Sequence, residues 1–342
     1  MHSSLRTAIV ALVSIVLLAL FLRNADLREV WTEVERSRWD LVGLALVVTG
    51  LTYVLRALRW QYLLAPIGSV RFLTAFRTTV IGFAATALLP ARAGEVLRPY
   101  LLARKEGLSA TSAFATIVLE RVLDTMMVLL LFGVFLLVAD PEIGGANEQS
   151  FGRLKFGGLL VALGSLTALG AMFVLAGHPS ALLRLERGLG RWLPAGLGSR
   201  LMRLVHAFAE GLAIVRQPGR LAIALVWSVP LWLSIAAGIW AVSRAFHIEL
   251  PFLGSFLIMA LLVVGVAVPT PGAVGGFHYF YRLGVVAFYG APNDRAVGAA
   301  IVLHAVSFLP VALAGLAFLA QDGLSLASVG RLARTSRAGE AT

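Results

Sequence analysis

Long runs of apolar residues constrain the fold of this chain more than any other feature of its sequence. They cover residues 7–22, 41–55, 113–139, 156–176, 221–242, 252–268 and 295–320. A helix of about 20 residues crosses a hydrocarbon core of about 30 Å, and most of the runs reach or approach that length. Helices satisfy their own backbone groups in lipid. The runs therefore predict an all-α, polytopic bundle of transmembrane helices.

Composition and charge point to the same class of protein. Hydrophobic residues make up 59% of the chain and charged residues 14%, whereas about 25% of a typical soluble domain is charged. No cysteine is present, so disulfides and thiolate chemistry are excluded. The net charge of +11 is better explained by arginines on the cytoplasmic side than by a nucleic-acid partner. We interpret residues 7–22 as a retained anchor helix, since no small-residue cleavage site follows them.

Two apolar stretches, 72–89 and 252–268, each run into a break that is rich in proline and glycine. The segment after the second break, 277–289, is too short to span a bilayer comfortably. Broken backbone at membrane depth requires surrounding protein or a water-filled cavity, so we expect two re-entrant hairpins. The expected hinge and turn residues are Pro90, Gly94, Pro271, Gly272, Gly275 and Gly276.

The distribution of basic residues predicts the orientation in the membrane. If both hairpins return to the side they entered, six full spans remain and both termini are cytoplasmic. Arginine and lysine then outnumber acids in the cytoplasmic segments but not in the outer ones. A topology in which every apolar run spans fits the charges nearly as well, so segment length is what favours the hairpins. The expected location is the inner, cytoplasmic membrane of the cell.

The two breaks and the helices after them resemble each other, which predicts an internal repeat. A nearly constant offset aligns Pro90 with Pro271, Gly94 with Gly275, and residues 116–120 with 300–304. The repeats, 72–139 and 252–320, would be inverted, a common plan in transporters. We expect one transmembrane domain over 1–322 and a basic cytoplasmic tail over 323–342.

The segment 177–220 mixes leucines with arginines and is the longest polar stretch of the chain. At helical spacing it forms a basic amphipathic surface suited to an anionic leaflet. A cytoplasmic cap packed on the helix ends has the same pattern, and the sequence leaves both interpretations open.

Ionisable residues inside apolar segments are the strongest candidates for a site, because they are costly in lipid without partners. Helical spacing places Glu120, Arg121 and Asp124 on one turn. Arg92, Glu95 and Arg98 would share a face if the return leg of the first hairpin is helical. We expect the two triplets to meet as a nearly neutral cluster that binds a lipid phosphate through arginine forks. The alternative is that these residues pair only to lock the hairpin against the helix.

Four further polar residues are secondary candidates. Arg56 and Arg59 lie near the end of a span, where anchoring at the interface competes with contact to a lipid headgroup. His278 and His304 are more typical of packed or capping histidines than of proton carriers. The chain lacks the nucleotide, metal and nucleophile signatures of common enzymes, so we predict no cofactor and no metal.

Four motifs, taken in order, resemble those of the lysylphosphatidylglycerol synthase transmembrane family, which is also called flippase-like. They are Arg56-Ala-Leu-Arg59-Trp60, Leu89-Pro90-Ala-Arg92-Ala-Gly94-Glu95-Val-Leu-Arg98, Leu119-Glu120-Arg121-Val-Leu-Asp124 and Pro269-Thr-Pro271-Gly272-Ala-Val-Gly275-Gly276. The resemblance covers roughly residues 5–320 and implies a lipid flippase or a role in glycolipid or polyprenyl-linked sugar pathways. The soluble aminoacyl-transfer domain of the full synthases has no counterpart here, so we do not expect lysyl-lipid synthesis.

The leading functional hypothesis is therefore a flippase or scramblase-like transporter for a phosphate-bearing lipid or a lipid-linked sugar. One alternative is a membrane enzyme or enzyme subunit that modifies a headgroup, with Glu95, Glu120 or Asp124 as the general base. Another is an accessory scaffold of a lipid-synthesis complex. The expected partners are membrane lipids, anionic or linked to polyprenyl phosphate, and a lipid-synthesis enzyme. The sequence predicts no oligomeric state.

Overall fold

The computed structural model describes residues 25–89, 92–138, 206–267 and 270–323, together with parts of 12–23 and 152–170. Within these ranges the chain is helical and contains no strand. The principal helices are α1 (Leu27–Glu35), α2 (Trp39–Leu64), α3 (Phe72–Leu88), α4 (Gly94–Glu106), α5 (Ala110–Val138), α6 (Pro218–Ala245), α7 (Gly254–Ala267), α8 (Gly276–Tyr289) and α9 (Asn293–Gln321). The predicted all-α class is confirmed.

Four of the described helices, α2, α5, α6 and α9, are long and apolar enough to cross a membrane. They contain 26 to 29 residues each, and therefore measure roughly 40 Å along their axes. Large apolar side chains on their outer faces are exposed, among them Val47 at 71% and Leu137 at 88%. The predicted polytopic membrane protein is thus confirmed. The other two expected spans, 7–22 and 156–176, are described only in part, and their described residues are helical.

Each predicted break separates two short helices that pack against each other. The first hairpin consists of α3 and α4, and the second consists of α7 and α8. The leading helices have 17 and 14 residues, or roughly 21–26 Å, which is less than a hydrocarbon core of about 30 Å. In the second break, Gly272 and Gly275 adopt φ values of +60° and +90°, which favour glycine. Pro90 lies outside the described residues.

A pair of glycines closes each hairpin. A Cβ atom added to Gly94 would overlap the carbonyl oxygen of Gly82, and one added to Gly276 would overlap that of Gly265. Each pair therefore brings the backbones of its two helices into direct contact, a contact that any side chain would prevent. In the packing of the second hairpin, Gly276 thus has the role that Gly94 has in the first.

The long helices hold the two hairpins around a shared interior. Helix α2 packs along α6, and α9 packs along α3, while α5 contacts α2, α4, α6 and α7. Helix α9 also contacts α8, so it touches both hairpins. A core of buried apolar residues follows α6 to α9, and a second core joins the cytoplasmic ends expected for α2 and α5.

The described end of the basic segment packs onto α5. Leu212, Ile214 and Val215 are buried in the core that contains the first turns of α5. A Cβ atom on Gly211 would overlap the carbonyl oxygen of Ser112, so this contact is also close. For this part of 177–220, packing on the helix ends is the arrangement present. Residues 177–205 and the tail from 324 lie outside the described residues.

We expect Gly94→Ala to lower the stability of the folded protein by about 1–3 kcal/mol, because the new methyl group overlaps backbone atoms that only a shift of α3 can move. Gly50→Ala is the matched control, since no atom lies within 4 Å of its added Cβ. Alanine in the interior of α2 should leave stability equal or slightly higher. Thermal unfolding of the two purified variants in detergent measures the difference. Equal midpoints for both variants would contradict the tight crossing of the hairpin.

Candidate functional site

A cavity of about 400 Å³ lies between the two hairpins, within the bundle of long helices. One wall is apolar and is formed mainly by α6, α7 and α9, with Ile239, Leu262, Val266, Leu303 and Val306 among its side chains. The polar wall comes from α2, α4 and α5 and from the break before α4. Its charged lining residues are Arg56, Arg92, Glu95, Arg121 and Asp124. Such a volume is in the range of small-molecule sites, and its two walls suit an amphipathic ligand.

Asp124 is the centre of the polar wall. Its Oδ1 atom lies 2.7 Å from Nη1 of Arg59 and accepts a 3.0 Å hydrogen bond from the indole of Trp232. Its Oδ2 atom lies 3.2 Å from Nη2 of Arg121 and 3.8 Å from Nη1 of Arg56. Three helices, α2, α5 and α6, are thus tied together by one carboxylate.

Glu120, one turn earlier on α5, forms a second centre behind the cavity wall. It is fully buried, and its Oε1 atom accepts a 2.9 Å hydrogen bond from Nη1 of Arg98. The same oxygen contacts Arg121 and lies 3.8 Å from Nη2 of Arg59. Arg98 belongs to α4, so this carboxylate connects the first hairpin to α5.

Aromatic rings fix the arginines of this cluster. The guanidinium of Arg98 lies 3.9 Å from the ring centre of Trp60, and that of Arg56 lies 4.9 Å from the ring centre of Phe83. Cations are attracted to the faces of aromatic rings, most strongly where water is excluded. Trp60 is itself held by a hydrogen bond from its indole to Thr116. Trp60 and Trp232 therefore belong to the cluster, although only Trp60 was flagged in the sequence, as part of a motif.

The buried cluster carries more positive than negative charge. Arg56, Arg59, Arg98 and Arg121 surround only Glu120 and Asp124, which leaves an excess of two positive charges among the described residues. Several N–H donors also lack a hydrogen-bond partner within the described part of the chain. They are Nη1 of Arg56, Nε and Nη2 of Arg59, Nε and Nη2 of Arg98, and Nε of Arg121. A net charge at this depth is costly unless a ligand compensates it.

This arrangement differs from the balanced meeting of two triplets that the sequence suggested. Helix α4 begins only at Gly94, and Arg92 precedes it with a φ of +52°, so Arg92 does not share a helical face with Arg98. Arg92 and Glu95 instead pair with each other at 3.4 Å, with side chains 38% and 37% exposed, at the edge of the cavity.

Arg56 and Arg59 of α2, rather than Arg92 and Glu95, pair with the acids of α5. Anchoring at the membrane interface was one of the two interpretations of both residues. Helix α2 continues to Leu64, however, and turns both side chains inward, where they are 8% and 0% exposed. Their i, i+3 spacing places them on one face opposite α5. Interface anchoring is therefore corrected to membership of the buried cluster.

The two histidines lie together at the second hairpin. The rings of His278 and His304 are 4.5 Å apart, and Phe277 contacts both. Nε2 of His304 lies 2.8 Å from the carbonyl oxygen of Gly272, so it ties α9 to the second break. Neither histidine lines the cavity. Among the described residues, no group of three or more histidine or acidic side chains is placed to hold a metal ion.

Arg92 links the two breaks directly. Its Nη2 atom donates a 2.6 Å hydrogen bond to the carbonyl oxygen of Val266, near the end of α7. The carbonyl end of a helix favours a cation, which adds to this contact. Gly272 also lies against α3, since a Cβ atom there would be 3.4 Å from the carbonyl oxygen of Ala87. The tips of the two hairpins therefore touch.

Comparison with known proteins identifies the family. Glycosyltransferase AglD of Haloferax volcanii is 24% identical over 350 residues, which cover 94% of this chain and 55% of that protein. The chain thus spans about half the length of this curated relative. A UPF0104 membrane protein of Methanocaldococcus jannaschii is 32% identical over 101 residues, covering 29% of this chain and 30% of that protein. The family model described as the lysylphosphatidylglycerol synthase TM region matches residues 7–315. The chain therefore belongs to this family of integral membrane proteins.

Proposed function

We propose that this protein moves a phosphate-bearing lipid, or a lipid-linked sugar, between the leaflets of the membrane. The observation that carries the proposal is the cavity between the two broken hairpins, with an arginine-rich wall facing an apolar one. A lipid has the same two-sided character, with a charged phosphate and an apolar chain. Arginine forks bind phosphate oxygens, and two arginines of the cluster, Arg56 and Arg121, line the cavity, each with a buried N–H that has no partner among the described residues.

The hairpins supply the moving parts of the proposed mechanism. Two similar broken hairpins around one cavity support an inverted repeat, in which one half moves against the other. The glycine pairs keep each hairpin rigid, and the Arg92–Val266 contact joins their tips on one side of the cavity. Breaking that contact would open a path past the tips. The second repeat has His304 where the first has Glu120, so we propose that the first repeat binds the headgroup and the second gates.

The alternative of headgroup chemistry has weaker support. Glu120 is fully buried behind the cavity wall, and Asp124 is engaged by Arg59, Arg121 and Trp232. A carboxylate held by cations is a weak base, which disfavours either residue as a general base. The glycosyltransferase name of the Haloferax relative belongs to a protein about twice as long. It supports a lipid-linked sugar as cargo without placing sugar transfer in this chain.

Transport is tested with purified protein in liposomes that contain a fluorescent phospholipid or a polyprenyl phosphate. We expect the protein to make inner-leaflet label accessible to a membrane-impermeant quencher. Protein-free liposomes and liposomes with heat-denatured protein are the controls. If no phosphate-bearing lipid moves faster than in the controls, the transporter proposal is wrong, and a scaffold in a lipid-synthesis complex becomes the better account.

We also propose that the protein is one domain over 1–322 with a basic tail, in the inner membrane, with both termini in the cytoplasm. The charge asymmetry of the segments supports this orientation. Because the chain has no cysteine, single cysteines can be introduced without background. In intact cells, an impermeant maleimide should label a cysteine at position 145 and not one at position 200. The reverse pattern would overturn the orientation.

A further inference from the structure

The charge of the cavity wall specifies how much negative charge a ligand must bring. The cavity lining and the cluster behind it contain five arginines and three acids. They are Arg56, Arg59, Arg92, Arg98 and Arg121, and Glu95, Glu120 and Asp124. Arg92 and Glu95 neutralise each other, so including or omitting that pair leaves the same excess of two positive charges. This count covers the described residues.

Part of the excess charge lies in the lining of the cavity, on Arg56 and Arg121. Arg56 is 8% exposed and lines the cavity, yet its Nη1 atom has no hydrogen-bond partner in the described ranges. The rings of Phe83 and Trp232 flank its guanidinium at 4.9 and 5.9 Å. Arg121 also lines the cavity and has an unpartnered Nε atom. Both guanidinium groups are therefore placed to receive an anion that enters the cavity.

The number of charges distinguishes two classes of lipid phosphate. The phosphodiester of a common phospholipid carries one negative charge, which would leave one arginine uncompensated. A terminal phosphomonoester carries about 1.5 to 2 negative charges at neutral pH and has three acceptor oxygens. A terminal diphosphate carries at least as much. The apolar wall, formed by residues such as Ile239, Leu262 and Val306, would remain unfilled by free phosphate.

We propose that the ligand of this site is a lipid that ends in a dianionic phosphate, either a phosphomonoester or a diphosphate, in preference to a phosphodiester lipid. The inference rests on the proposed function, because it assumes that the cavity is a lipid site. The inference narrows the cargo to lipids with a dianionic terminal phosphate. It assigns Arg56 and Arg121 as the residues that select this phosphate.

Two lipids with identical acyl chains provide the test. Dioleoyl phosphatidic acid is a phosphomonoester, and dioleoyl phosphatidylglycerol is the matched diester. Binding of each to the detergent-solubilised full chain is measured by the shift of its thermal unfolding midpoint with lipid concentration. Inorganic phosphate is the third probe. We expect phosphatidic acid to bind at least about tenfold tighter than phosphatidylglycerol, because its second negative charge is attracted by the second excess positive charge of the cluster. Inorganic phosphate should bind far more weakly than either lipid.

Charge variants connect the preference to the arginines. Arg121→Gln reduces the excess to one charge, so the preference for phosphatidic acid should fall to within about threefold. Arg38→Gln, whose side chain is 55% exposed and pairs with Asp40, is the matched control and should keep it. Size-exclusion profiles establish that both variants are folded, and Arg56→Gln replaces Arg121→Gln if the latter aggregates.

The outcomes separate this inference from the proposed function. Equal affinity for the two lipids, together with translocation of phosphatidylglycerol, would overturn the inference and leave the transporter intact. Inorganic phosphate binding as tightly as phosphatidic acid would also overturn it, since the apolar wall would then contribute nothing. If neither lipid binds and neither moves, the proposed function itself fails.

Discussion

Replacing Glu120 with glutamine is expected to destabilise the protein by about 3–5 kcal/mol, the typical cost of breaking a buried ion pair from one side. Glu120 is fully buried and compensates Arg98, Arg121 and, at 3.8 Å, Arg59. Glutamine keeps the shape and one acceptor oxygen but removes the charge. The excess of positive charge in the cluster then rises from two to three around a side chain that is fully buried.

The unfolding midpoint in detergent measures this effect. Glu95→Gln is the matched control, because Glu95 is 37% exposed at the edge of the cavity and is expected to change stability by less than about 1 kcal/mol. The double variant Glu120→Gln with Arg98→Gln returns the excess to two charges and should recover part of the loss. A double-mutant cycle would report this recovery as a coupling energy between the two side chains. A midpoint equal to that of the parent protein would show that the cluster does not depend on Glu120.

The sequence was sufficient to predict the parts of the site that depend on local spacing. Glu120, Arg121 and Asp124 lie within residues 120–124 of one long helix, so helical geometry alone places them close together. The breaks were predictable for a similar reason, since prolines and glycines that cluster within a few residues, as in 269–276, favour a turn even though single ones are tolerated inside α6 and α9. The family and the all-α, polytopic class followed from such local signals and are confirmed.

The sequence was insufficient wherever long-range packing decides which way a side chain turns. Helix α2 is apolar on most of its surface, so its pattern does not distinguish an inward Arg59 from one that reaches the interface. The contact of Arg59 with Asp124 depends on the docking of α5, because Asp124 lies more than sixty residues later in the chain. The position of Arg92 was mistaken for a different reason. The expectation assumed that the helical return leg includes Arg92, whereas the helix begins at Gly94 and the left-handed backbone of Arg92 directs its side chain toward Val266.

Arg56→Gln is expected to slow lipid translocation at least about tenfold while leaving the protein as stable as the parent, or more so. The loss in transport follows from its position, since Arg56 lines the cavity with an unpartnered N–H and a charge-assisted hydrogen bond contributes about 1.5–3 kcal/mol. The stability follows from the charge count. Asp124 keeps Arg59, Arg121 and Trp232 without Arg56, so no acid is left unpaired.

Two opposing energies decide the sign of the stability change. Removing the guanidinium forfeits its cation–π contacts with Phe83 and Trp232, which contribute about 2 kcal/mol where water is excluded, and its 3.8 Å attraction to Oδ2 of Asp124. Removing one of the two excess positive charges of the cluster gains several kcal/mol, and we expect this gain to equal or exceed the loss. Liposome translocation and the unfolding midpoint in detergent, measured on the same preparation, test both expectations, with Arg38→Gln as the exposed control. If transport and the midpoint fall together, Arg56 serves the fold. If transport is unchanged, the phosphate is bound elsewhere. A variant with slow transport and unchanged stability would show that the excess positive charge favours binding of the ligand and lowers the stability of the protein without ligand.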